Sequence, residues 1–192
     1  MLTNKITRCL KIVLLLFVFF IQVAHSQDSS IVKNKYETFS SQTGVLLKTE
    51  VEQIESVKDI GLSINTCTNI ETAYSIKSLL ITKNSSSFFG KVPIAEISID
   101  WDEIKSFADA LKYIKKQVDL GKPPIETSFN YRTTNGCYIA AFYNLVLGGN
   151  GWSIMLGKSY KYSGVPISGT SIELKLKNVD DLIKSIDLIS KR

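Results

Sequence analysis

The chain has 192 residues, 44% of them hydrophobic, with 23 Lys and Arg against 18 Asp and Glu and a formal net charge of +5. That length and apolar content suit one folded domain with its own core. Three of the basic residues, Lys5, Arg8 and Lys11, fall in an N-terminal leader, so the rest of the chain carries only about +2, and composition lends nucleic-acid binding no support.

Residues 1–26 read MLTNKITRCLKIVLLLFVFFIQVAHS: a basic stretch, an unbroken apolar run from Ile12 to Ile21, and a small-residue site at Ala24-His25-Ser26. This is the three-part layout of a secretory signal peptide, with cleavage expected after Ser26 and a secreted or periplasmic destination. The apolar run is shorter than the roughly 20 residues a spanning helix needs, so no stable membrane anchor is expected. An uncleaved leader would instead give a membrane-tethered structural protein. The chain's one histidine, His25, lies inside the leader. Cleavage therefore removes imidazole from the mature chain, and with it Ser-His-Asp and Cys-His catalysis and histidine-bound zinc. No cofactor is implied.

Residues 27–43, QDSSIVKNKYETFSSQT, are polar and aperiodic, and read as a flexible lead-in to a single domain over 44–192. From Gly44 the chain turns strand-like through VLLKTEVEQI, GLSI and AYSIKSLLITK. NSSSFFG then reads as a loop, and VPIAEISI as a further strand with Pro93 near its start. Next, Ile104, Phe107, Ala108, Leu111 and Ile114 recur at spacings of three and four, the apolar stripe of an amphipathic helix. Asp100 stands at its expected N-cap with Glu103 three residues on, a capping box that accounts for the acids of DWDE without chemistry. Gly121 and Pro123-Pro124 stop this helix.

The second half repeats the grammar. IETSFNYRTT and CYIAAFYNLVL are joined through Asn135-Gly136, a hairpin dipeptide; GGNG makes the next turn, WSIMLGK returns, and KYSGVPISG is a loop. TSIELKLK alternates as a strand. NVDDLIKSIDLISKR closes the chain as a helix, with Asn178 as N-cap and Val179, Leu182, Ile183, Ile186 and Ile189 as its stripe. The fold class is α+β: an antiparallel β-sheet with two amphipathic helices packed on one face. The recurrence of strand, Asx cap, acids and helix allows two successive β-rich/helix units, and a β-sandwich or barrel is the alternative.

Cys67 and Cys137 in an exported chain are candidates for a disulfide, the other reading being two small buried apolar residues. Phe129, Tyr131, Tyr138, Phe142, Tyr143 and Trp152 concentrate among amides and Arg132. They are either strand-forming core aromatics or a ligand-binding surface, with Tyr138 and Phe142 on one face of their strand and Tyr143 on the other. No residue is assigned to a metal or to catalysis. The functional expectation is a non-catalytic domain binding a small ligand or a partner protein. The alternative is a carboxylate-dependent hydrolase using Asp100, Asp102 and Glu103.

The run AEISIDWDEIKSFADALKYI, followed by FNYRTTNGCYIAAFY and then WSIMLGK, resembles a pattern of small exported bacterial proteins of unknown function. In that pattern a strand ends in an Asp-Tyr-Asp-Glu-like cap, a helix follows, and a Tyr-containing hairpin comes next; here Trp101 stands in place of Tyr. The resemblance covers residues 95–158. It implies an exported domain, names no activity, and carries over no functional residue.

Overall fold

The computed structural model describes residues 33–87, 90–123, 126–144, 151–158 and 171–192, all within the compact unit Ile31–Arg192. The expected leader, the turn at 148–150 and the KYSGVPISG loop lie outside the described residues. Among the described residues no helix is long and apolar enough to cross a membrane.

The first element is a helix, α1 (Lys35–Ser40), where a flexible lead-in was expected. Its origin is local. The Asn34 side chain accepts from Glu37 N at 2.7 Å, and the Glu37 carboxylate accepts from Asn34 N at 3.1 Å, so two orphan amides are satisfied reciprocally. Six residues are too few to display a helical period, and tertiary docking through the buried Tyr36 supplies what propensity does not.

Four antiparallel strands follow in chain order: β1 (Leu47–Val57), β2 (Ile60–Asn69), β3 (Ser75–Ser87) and β4 (Gly90–Asp100). The NSSS of the expected loop is strand, paired with Gly90–Pro93 across the hairpin. Alternation sends Ile60, Leu62 and Ile64, Leu79 and Ile81, and Ala95, Ile97 and Ile99 into the core. Both edge strands are irregular. β1 shifts register between Gln53 and Glu55, and the β3–β4 register shifts at Lys83/Asn84, where Pro93 sits opposite Asn84. An edge position next to a bulge is where a strand tolerates a residue without an amide proton.

A single 3₁₀ turn (Trp101–Glu103) leads into α2 (Ile104–Asp119), which buries the expected stripe of Ile104, Phe107, Ala108, Leu111 and Ile114, extended by Val118. The second antiparallel sheet is β5 (Ser128–Arg132), β6 (Cys137–Asn144), β7 (Gly151–Lys158) and β8 (Ile172–Leu174), again in chain order. The β5–β6 turn is closed by Thr133 N donating to Cys137 O at 2.8 Å, with Gly136 at φ 80. That left-handed position explains the Asn-Gly pair.

The last helix, α3 (Leu176–Ile189), begins two residues before the expected N-cap. Asn178 lies inside it, buried, with Oδ1 unpartnered among the described residues, and the N-cap position is held by Lys175 without a side-chain bond. The alternation of Ile172, Leu174 and Leu176 carried the expected strand too far. Among the described residues the chain is thus α+β, with two antiparallel sheets and three helices. One buried cluster joins residues of both sheets with the stripes of α2 and α3. At the surface Lys112 meets Asp187 at 2.6 Å and Lys115 meets Asp180 at 3.4 Å, tying the two long helices together.

Candidate functional site

Two of the acids of DWDE, Asp100 and Glu103, meet at a partly buried polar junction through Asn135. Asp100, the last residue of β4, is 1% exposed. Its carboxylate accepts from Lys35 N at 3.0 Å, from Tyr36 N at 3.2 Å, and from the Asn135 side-chain amide. Lys35 and Tyr36 open α1, so Asp100 does cap a helix, but not its own: no side-chain cap bond forms in the turn it precedes. The expected box with Glu103 fails because the chain enters α2 through a 3₁₀ turn. Glu103 reaches instead to the β5–β6 turn, accepting from Thr134 N at 2.7 Å and from Asn135 Nδ2 at 3.4 Å.

Further bonds complete the junction. The Asn34 side chain donates to Ser98 O at 2.9 Å. Lys158, at the end of β7, donates to both carboxylate oxygens of Glu37, at 2.5 Å to Oε1. One short helix is thereby held directly to the end of β4 and to β7, and through Asp100 to the β5–β6 turn. The Asn34-x-x-Glu37 box was present in the sequence as a signal. The partners it recruits, Ser98 and Lys158, were not.

Two neighbouring carboxyls are driven apart by this environment. Burial pushes the Asp100 carboxyl up from its ordinary value, and its backbone donors offset that only in part. The Lys35 ammonium, 2.5 Å away, pulls the exposed Asp102 carboxyl down. A cavity of about 400 Å³ borders both, lined also by Lys35, Lys77 and Trp101, with Lys77 Nζ 5.4 Å from the Trp101 ring centroid. Among the described residues, no group of three or more His, Cys, Asp or Glu side chains is placed to hold a metal ion.

The aromatic residues of the second sheet are largely engaged in packing. Phe129 stacks on Trp152 at 5.7 Å, Tyr143 meets Trp152 edge-on at 5.5 Å, and Tyr131 meets Phe107 edge-on at 6.4 Å. Phe129, Tyr131 and Trp152 pack against the core, and Tyr143 is buried. The polar handles are occupied too: Trp152 Nε1 donates to Gly121 O at 2.8 Å, and the Tyr131 hydroxyl lies 3.1 Å from Ser106 Oγ. Of the six, Phe142 alone is exposed.

Tyr138 lies on the opposite face from Tyr143, across from Gly157. A Cβ at Gly157 would fall 2.4 Å from its ring. Gly157→Ala should therefore cost about 2 kcal/mol through overpacking, measured by urea unfolding. The buried Tyr138 hydroxyl has no partner among the described residues. Tyr138→Phe, which removes that unpaired group, should leave stability unchanged or raise it.

Cys67 and Cys137 are both buried free thiols, so the two are not joined in the structure. Cys67 Sγ lies 3.9 Å from the Thr49 hydroxyl, and Cys137 Sγ donates to Ser98 O at 3.1 Å, so each is engaged by its own neighbours. Burial pushes the Cys137 thiol up to about 12. Iodoacetamide should leave both unmodified in the native protein and label both once it is unfolded without reductant. A bonded pair would resist labelling in the second step as well.

Compared with known proteins, the chain matches no family model and no curated sequence.

Proposed function

We propose that the chain is an exported, non-catalytic domain that binds a small ligand or a partner protein in the cell envelope or outside the cell, its leader cleaved after Ser26. The observation that carries this reading is the use made of its densest carboxylate cluster. Asp100 accepts two backbone amides of α1, and Glu103 accepts one from the β5–β6 turn. Groups committed to backbone donors in this way serve as structural ties, whereas a general acid or base needs a proton-transfer path to a substrate. The element order among the described residues, four antiparallel strands then a long helix and four more then a long helix, supports two successive β-rich/helix units with the two amphipathic helices packed on one face.

A second reading rests on one specific observation. Asp100, with its raised carboxyl, and Asp102, with its lowered one, border the same cavity, a pairing that suits an acid and a base in a hydrolase. Native mass spectrometry of the protein recovered from its host, without reductant, tests the first reading. The expected mass is that of residues 27–192 plus a bound small molecule or partner. Hydrolysis of model esters or glycosides that disappears in Asp102→Asn, with stability unchanged, would favour the second.

A further inference from the structure

On the face of the first sheet turned away from the core, the two edge irregularities flank one glycine. Alternation places Gly61 between the inward-pointing Ile60 and Leu62, on the outer face opposite Thr82. The β1 register shift lies level with Leu62 and Ser63, and the β3–β4 shift lies level with Ile60. Each bulge bends its edge strand locally and re-aims the side chains beside it. Between them opens a groove of about 500 Å³, within the range of small-molecule sites.

Gly61 makes the floor. A Cβ there would lie 2.7 Å from Thr82 Oγ1 and 3.2 Å from Asn84 Nδ2, so this hydroxyl and this amide overhang the glycine. Among the described residues Thr82 Oγ1 makes only a long bond, 3.4 Å to Gly61 O, which leaves most of its bonding capacity. Gln53 and Ser56 add a second amide and a second hydroxyl from β1, and Ile54 and Pro93 form apolar walls. None of the described lining residues is charged.

From this we infer that the groove over Gly61 is a binding site for a neutral, polyhydroxylated ligand, a short uncharged saccharide. Paired amides and hydroxyls, each able to donate and accept, match vicinal sugar hydroxyls, and Pro93 and Ile54 offer surfaces for the C–H faces of a ring. An anionic ligand would find no cation in the lining. The inference rests on the binding reading above and gives it a site and a ligand class.

The test is an amide NMR titration of the protein purified from its host with maltose, cellobiose and N,N′-diacetylchitobiose, with digalacturonate as the charged comparison. Saturable shifts at Gly61, Thr82 and Asn84 with a neutral disaccharide, and not with digalacturonate, are expected. Gln53→Ala, on the exposed edge strand, should weaken binding about tenfold through one lost amide. Gly61→Val should abolish it by filling the floor; if that variant fails to fold, Gln53→Ala carries the test. Absence of saturable shifts with all three sugars, equal binding of digalacturonate, or shifts that persist unweakened in Gln53→Ala would overturn the groove while leaving a binding domain intact. Cleavage of the disaccharide alongside shifts at Gly61 would support the groove and overturn the non-catalytic reading instead.

Discussion

Asp100→Ala should destabilise the protein by about 3 kcal/mol, read as a lower urea midpoint at unchanged slope. The substitution leaves three donors, Lys35 N, Tyr36 N and Asn135 Nδ2, without their acceptor at a buried position. Asp100→Asn retains one carbonyl oxygen and should lose roughly half as much. A loss below about 0.5 kcal/mol for Asp100→Ala, the range of an ordinary surface change, would remove the carboxylate from its place as a tie. The pH dependence carries an independent sign. Because burial raises the Asp100 carboxyl, the folded state holds that proton more tightly than the unfolded state does. Its contribution to stability is full in acid and falls as pH rises through the raised native value. The cost of Asp100→Asn should accordingly be greatest in acid and shrink toward neutrality. Asp102, lowered by Lys35, runs the other way: its contribution is present at neutral pH and lost as pH falls through its lowered native value.

Lys158→Met should cost about 3 kcal/mol, because Lys158 is 6% exposed and its removal leaves the Glu37 carboxylate without its cation. Glu37→Gln combined with Lys158→Met should recover most of that loss. A neutral amide still accepts from Asn34 N, and an apolar side chain of similar length still fills the space beneath α1. Chemical denaturation of the single and double variants checks the coupling. A double variant no more stable than Lys158→Met would mean that Lys158 acts through partners other than Glu37.

The two long helices and most of the strands were legible because each has enough residues to display its period. Ile104 to Ile114 on α2 and Tyr138 to Tyr143 on β6 sort inward and outward as alternation and helical spacing require. Asn135-Gly136 was legible for a different reason, since a left-handed glycine leaves few alternatives. The boundary at Leu176 was not, because an apolar residue there fits either a strand continuing or a helix beginning. The candidate site was half legible. DWDE reads as a local helix cap, but a cap can be donated across the fold, and no local spacing links Asp100 to Lys35 or Glu37 to Lys158. Gly61 gave still less signal: a glycine inside a strand becomes a groove floor only once register places Thr82 and Asn84 above it.

The fastening of α1 also bears on the order in which the chain can acquire its structure. The contacts from α1 to Ser98 and Asp100 span 64 and 65 residues, and the contact to Lys158 spans 121. Closing such loops is entropically expensive and follows local pairing in time. A polypeptide emerging amino-terminus first therefore displays Asn34 to Ser40 long before their partners exist. Its bonds to Ser98 and Asp100 become available once β4 has formed and the Glu37–Lys158 pair only once β7 has, so the fastening of α1 is completed late.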